Sequence, residues 1–394
     1  MMRTIPLGEL IAIRGGGTPS RTVPEYWSGD IRWATVKDFK STELSETEES
    51  ITQEGIRQSA TNVIPAGSVI VPTRMAVGKA AINTIDLAIN QDLKALLPTG
   101  EVDQRFLLHF MLSQGAFLES RAQGATVKGI KLDLLKSLPF PRIPRTEQRR
   151  IAAILDKADA IRRKREQAII LADDFLRSVY LRTVGKEHPN FHKWNPTEIE
   201  SLAADCRGSI RSGPFGSALL HSEFVDEGIA VLGIDNAVKN RFMWAERRFV
   251  TLEKYEELRR YRVYPKDVII TIMGTTGRSA VVPEDIPEAI TTKHLASITC
   301  DLTKVVPEFL SFAIHSDPLV IEQIRSSNKG AIMDGLNLGI IRKLKIKLPP
   351  IDQQLMFSKA LTKTYEFVQK MVTPIGNGAE LFSSLSQRAF RGEL

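Results

Sequence analysis

Cysteine is nearly absent: Cys206 and Cys300 are the two in 394 residues. Neither belongs to a CxxC or stands at ligand spacing from a histidine, which excludes a disulfide framework and argues against a zinc site. His188 and His192 have the i,i+4 spacing of a helical metal pair, but Pro189 between them breaks the helix such a pair needs. Long apolar runs are missing too, and nothing approaches the ~18 residues of a membrane span. The opening MMRTIPLGELIAIRGGG is interrupted by Gly8 and Glu9, unlike a secretory signal. A cytoplasmic location is expected.

Catalytic signatures are equally scarce. TRMAVGKA (73 to 80) lacks the leading Gly, and the Ser or Thr after Lys79, that a phosphate-binding loop requires. No GxGxxG, GxSxG or HExxH occurs, and LPPI (348 to 351) has neither the acidic or amide residue nor the aromatic that flank an adenine-methyltransferase Pro-Pro motif. Asp86, Asp92 and Lys94 lie too close in sequence for the usual nuclease carboxylate-lysine set. The chain is therefore expected to hold no catalytic site, no metal and no cofactor of its own.

What is present is length, positive charge and repetition. A chain of 394 residues suggests about two domains. Lys and Arg outnumber Asp and Glu by 53 to 46, a net charge of +7 that favours a polyanionic partner. LPFPRIPRTEQRRI (138 to 151) aligns without a gap on LKIKLPPIDQQLMF (344 to 357), placing Pro144 on Pro350, Thr146 on Asp352 and Gln148 on Gln354. Upstream, Gly124 falls on Gly330, Gly129 on Gly335, Leu132 on Leu338 and Leu138 on Leu344; RFLLHFMLS (105 to 113) matches EFLSFAIHS (308 to 316). IPAGSVIVPTRMAVGKAAI (64 to 82) resembles VYPKDVIITIMGTTGRSAVV (263 to 282) with a shift of a few residues. The chain is two divergent copies of one module.

Each copy ends in a helical segment. Thr146 and Asp352 are expected as N-caps, with Ile351 and Met356 as a hydrophobic staple. Ile154, Ala158, Ile161, Arg165, Ala168, Ala172, Phe175 and Val179 recur at four-three spacing, as do Leu361, Tyr365, Val368, Val372, Ile375, Ala379, Phe382 and Ser386. Such spacing is the seam of a coiled coil. A helix from Thr146 to Val184 would be ~57 Å long at 1.5 Å per residue, which makes it a spacer as well as a core element. An ordinary amphipathic helix packed on its own domain is the alternative. Pro374, Gly376 and Gly378 predict a kink or break in the second segment. GKEHPNFHKWNPTE (185 to 198) reads as the linker between modules. Short strand-like runs at Gly67–Thr73 and Asp267–Ile272, beside helices near 105 to 119 and 308 to 325, give each module an α+β character.

GGGTPSRTVPEYWSGDIRWATVKDF (15 to 39), IPRTEQRRIAAILDKADAIRRKREQA (143 to 168) and the terminal SLSQRAFRGEL resemble, in turn, the first target-recognition domain, the central helix and the C-terminus of type I restriction-modification specificity subunits. The resemblance runs through the whole chain. It implies an α+β fold with two pseudo-symmetric target-recognition domains separated by two long antiparallel coiled-coil helices: domains at 1–145 and 186–350, and spacer helices at 146–185 and 351–394. It implies a noncatalytic subunit whose domains each read half of a bipartite, asymmetric double-stranded DNA target, with the helices setting the gap. Partners implied are two adenine-methylating modification subunits using S-adenosylmethionine and ATP- and magnesium-dependent restriction subunits. Arg149, Arg150, Arg162, Arg163 and Lys164 are the docking candidates, with a solvated charged face as the alternative.

DNA contacts are expected from loops carrying paired donors, hydroxyls and backbone amides. In the first module these are Thr18, Ser20, Lys37, Asp38, Arg74, Lys79, Lys94 and Lys128. In the second they are Ser212, Ser217, Asn236, Lys239, Thr275, Arg278, Lys293 and Lys329. Arg74 and Arg278, beside glycine-containing turns, form the leading pair. Gly16, Gly17, Gly213 and Gly216 are expected to shape turns, and Trp33, Phe39 and Phe215 to pack in cores, with stacking on an extruded base as the alternative for the three aromatics. A self-sufficient nuclease or methyltransferase and a basic coiled-coil scaffold stay open as alternatives.

Overall fold

The computed structural model describes residues 3–124, 127–244, 247–327, 335–372 and 378–393, apart from the side chains at 372, 378–381 and 383. It divides into two α+β units, Met1–Gln167 with Val372–Leu394, and Ala168–Met371. The long helix Arg145–Thr183 thus begins in one unit and ends in the other.

The repeat read from the sequence reappears strand by strand. In the first unit Ile11–Gly15, Leu93–Pro98, Val69–Pro72 and Ala81–Asn83 are successive neighbours in one sheet, completed by Glu43–Leu44. The second unit has Ile210–Ser212, Leu295–Ile298, Val268–Thr271 and Ser279–Val281 in the same order. A second sheet in each unit contains a parallel pair, Trp27–Ala34 with Leu87–Ile89 and Ile229–Leu232 with Ala289–Thr291. The apolar runs VIVP and VIIT are fully buried central strands, which explains why they do not alternate with polar residues.

Against each main sheet packs a short apolar helix, Gln104–Ser113 or Pro307–Ser316. Its buried phenylalanines, Phe106 and Phe110 in one unit and Phe309 and Phe312 in the other, anchor the largest cores. Burying such a side chain contributes ~1.5–3 kcal/mol. An antiparallel ribbon closes each module just before its long helix, Thr4–Pro6 against Pro139–Pro141 and Pro196–Glu198 against Lys345–Lys347.

The first long helix starts at Arg145, one residue earlier than expected, and the second at Ile351, so both begin ahead of the expected N-caps. The carbonyls of Pro144 and Pro350 accept the first helical bonds, from Gln148 N at 3.0 Å and Gln354 N at 3.2 Å. Thr146 and Asp352 therefore sit in the first turn instead of capping it. Ile351 and Met356 are exposed and form no staple.

The expected seam is only partly buried. Leu361 and Val368 are buried and Tyr365 half-buried, but Ile161 is 53% and Phe175 56% exposed. The aliphatic and aromatic side chains that bury on the first helix are Ile151, Ala152 and Leu155 near its start and Leu176 and Tyr180 near its end. These side chains belong to the cores of the two units. The reason is that each end docks on a domain, so burial follows the domain surface rather than one continuous stripe.

The second helix ends at Val372 and the terminal helix runs from Gly378 to Arg391. The expected break at Pro374 and Gly376, with seam residue Ile375, lies outside the described residues, as do the Val372 and Ala379 side chains. Within the first unit Phe382 and Phe390 of the terminal helix complete the core, and Arg162 lies over the Phe382 ring. No described helix is long and apolar enough to cross a membrane.

Candidate nucleic-acid interface

The loops carrying most of the expected contact residues converge at one end of the main sheet in each unit. In the first unit Gly17 N bonds Ile89 O at 3.0 Å, Thr73 N bonds Asp92 O at 2.8 Å and Met75 N bonds Lys128 O at 3.1 Å, tying four loops together. Gly16 is required there, because a Cβ would lie 1.9 Å from Ile89 O. The buried Trp33 indole donates to Gly17 O at 3.0 Å and fixes the same loop.

Around this knot Thr18 bonds Gln91, and Arg74, with its side chain 64% exposed, stands 3.9 Å from Asp92. Lys94 donates to Gln91 O at 2.7 Å, and burial lowers its pKa. Ser20, Lys37, Lys79 and Lys128 are exposed.

In the second unit Gly213 N bonds Leu295 O at 3.1 Å and Ile272 N bonds His294 O at 2.8 Å. The Gly213 position allows no side chain, since a Cβ would lie 2.2 Å from Thr292 O. Ser217, Lys239, Thr275, Arg278 and Lys293 are exposed, and Ser212 is half-buried in its strand. Lys329 lies outside the described residues.

Three expectations change. Asp38 and Asn236 are buried, 7% and 2% exposed, and satisfied internally. Asp38 Oδ2 accepts from Thr35 N at 2.7 Å, and Asn236 Oδ1 accepts from Gly233 N at 2.8 Å. Both close the same short turn by holding the backbone three residues earlier, so they shape loops and present nothing to a ligand. Arg74 and Arg278 are not equivalent. Arg74 bridges Gly129 as Met273 bridges Gly335, and Ile130 N and Leu336 N bond Thr73 O and Ile272 O in the same way. Arg278, next after the positive-φ Gly277, corresponds to Lys79 after Gly78. Phe215, expected in a core, is 55% exposed, whereas Trp33 and Phe39 are buried.

Sequence reasoning missed an open cavity of about 600 Å³ in the second unit, lined by Gly233, Ile234, Asp235, Val238, Arg248, Thr292 and His294. Arg248 pairs with Asp235. Arg248 Nε, Asp235 Oδ2 and Thr292 Oγ1 have no hydrogen-bond partner among the described residues. Burial, then Lys293 and Arg248, lower the His294 pKa, favouring a neutral ring with one donor and one acceptor. The Asp235, Arg248, Thr292 and His294 side chains thus put a carboxylate, a guanidinium, a hydroxyl and an imidazole on the wall of one cavity, a set of donors and acceptors suited to a polar ligand. The four chemical groups come from positions 235, 248, 292 and 294, which only the sheet brings together.

Of the expected docking cations, Arg149 stands 3.5 Å from Asp103, and Arg150 pairs with Glu147 at 2.7 Å. Arg162 and Arg163 share Asp159 at 2.7 and 3.2 Å. Lys164 is exposed. Apolar side chains that the seam did not absorb, Ile161, Ile170, Leu171 and Phe175, lie open on the same helix, as does Phe367 on the second.

Residues 2–170 match the family model described as a type I restriction modification DNA specificity domain. The specificity subunit of the Escherichia coli EcoR124I/EcoR124II type I restriction enzyme is 34% identical over 162 residues, 39% of this chain and 40% of that one. The chain thus aligns with about two-fifths of that relative's length. The specificity subunit of the E. coli EcoBI enzyme is 23% identical over 369 residues, covering 84% of this chain and 76% of the relative. The crystal structure of the type I restriction-modification system S subunit from M. genitalium superposes over 99% of this chain and 96% of its own, with a TM-score of 0.63 at 14% identity. That likeness extends the shared fold to both modules.

Proposed function

We propose that the chain is a specificity (S) subunit of the type I restriction-modification kind, to whose members it is similar, and that it reads two different half-sites of double-stranded DNA without catalysing a reaction itself. The observation that carries the reading is the repeated loop cluster at one end of each main sheet, with the cavity lined by Asp235, Arg248, Thr292 and His294 beside it in the second unit. Base edges offer donors and acceptors in patterns that such groups can discriminate, while exposed Lys and Arg hold phosphates.

The first half-site falls to Thr18, Ser20, Lys37, Arg74, Lys79, Lys94 and Lys128. The second falls to Ser212, Ser217, Lys239, Thr275, Arg278 and Lys293, together with Asp235, Arg248 and His294. Lys329 remains a proposed contact by its place in the sequence alone. Because the two sets differ at equivalent places, Lys79 against Arg278 for instance, the two halves of the target differ. Modules at 1–145 and 186–350 would be joined by the segments 146–185 and 351–394, which set the gap. Two modification subunits, carrying S-adenosylmethionine, dock on the long helices through Lys164 and the open apolar side chains, with the paired Arg149, Arg150, Arg162 and Arg163 at the margin. Restriction subunits bring ATP and magnesium chemistry.

Arg248→Ala tests the assignment. In a complex with the modification subunit it should cost about 1–3 kcal/mol of binding to the cognate site and relax the second half-site while leaving the first unchanged. An unchanged motif and affinity would remove Arg248 and its cavity from the interface.

A further inference from the structure

We propose that Gln148 and Gln354 are positioning residues for target spacing: each sets the angle at which a long helix leaves its own module, and thereby the gap at which two half-sites are accepted. The inference rests on the reading above and adds to it the part of the chain that makes the gap exact to one base pair.

The two glutamines are 3% and 1% exposed and make the same three connections. Gln148 Oε1 accepts from Asp103 N at 2.8 Å, and Gln354 Oε1 accepts from Val306 N at 2.9 Å. Those amides belong to the residues that open the short core helices. The side-chain amide of Gln148 donates to Glu101 O and Ile143 O, both at 3.0 Å. That of Gln354 donates to Lys304 O at 3.4 Å and Pro349 O at 2.8 Å. One amide therefore joins the core helix, the turn before it and the lead-in to the long helix.

The apolar contacts around this clasp, Ile151 and Leu155 in one unit and Phe357 and Leu361 in the other, are non-directional. A helix can roll on them by a few degrees at little cost. Hydrogen bonds weaken steeply as their angle departs from linear, and three converging on one buried amide admit a single orientation.

Lever length makes the angle matter. The first helix has 39 residues, ~58 Å at 1.5 Å per residue. One base pair occupies ~3.4 Å of duplex. A tilt of roughly 3° at the base of such a lever moves its far end by that distance, from the same helical rise. The second helix, of 22 residues and ~33 Å, needs roughly 6° for the same displacement. Small angular freedom at either clasp is thus worth one step in the gap, while the loops that read each half-site are untouched.

The test maps methylated motifs in cells that co-express each variant with the modification subunit. Gln148→Met and Gln354→Met keep side-chain length and remove every clasp bond; Gln354→Glu keeps the acceptor. Leu232→Ala, a core change remote from the clasp, serves as the destabilised control. The expected result is one gap for the wild type and the control, and for both Met variants the same half-sites with a second population displaced by one base pair. One gap in both Met variants, or an equal spread in Leu232→Ala, overturns the proposal. Should the Met variants yield no methylation, a single gap in Gln354→Glu overturns it and a displaced population upholds it. A wild type with no bipartite motif overturns the functional reading itself, and the clasp with it.

Discussion

At the scale of single residues, polar groups divide into those that build loops and those left for a partner, and identity alone does not separate them. Asp38 and Asn236 have the chemistry of DNA contacts and turn out to hold their own turns, while Arg248 and His294 carried no motif. The missing signal was burial, which is set by the fold. His315 shows a consequence that can be measured. Burial pushes its imidazole down to about 3, and His109 shifts in the same direction against the pull of Asp156. A folded-state pKa below the unfolded value near 6.5 means that the unfolded chain takes up the proton first. Stability is then complete above about pH 6.5 and falls by up to ~1.4 kcal/mol per pH unit below it for each such group. Urea midpoints at pH 7.5 and 5.0 should fall on acidification, and His315→Leu should flatten that slope. An identical slope in the variant would mean that His315 is not held neutral.

At the scale of elements, the repeat and the first long helix with its length were legible because periodicity and proline stops are local. The exact helix starts were not. A proline carbonyl opens each helix, and a glutamine in the next turn fastens it to a distant segment, Asp103 or Val306. Nor did the four-three spacing distinguish side chains that fill a core from those left open, since both are apolar. That distinction predicts opposite behaviour for similar substitutions. Leu361→Ala, at a buried position, should cost ~2–5 kcal/mol of stability. Ile161→Ser and Phe175→Ser, at exposed ones, should change stability by no more than ~0.5 kcal/mol yet release the modification subunit on co-purification. Denaturant melts and pull-downs on the same preparations check both. Retained co-purification would return docking to the charged residues.

At the scale of the whole molecule, the net charge of +7 favours polyanions in general, so nonspecific DNA binding as such decides little. Duplication of one module with divergent loops is the stronger feature, because it explains why a chain without a visible catalytic motif carries two sets of polar loops and two anchored helices. Sequence recognition, rather than charge, is the central claim. It is tested most directly by mapping every methylated adenine in cells that express the modification subunit with and without this chain. The account predicts one bipartite motif with unlike halves and a fixed gap, present only when the chain is there. Methylation with no motif, or with the same motif when the chain is left out, would contradict it and restore the scaffold as the better description.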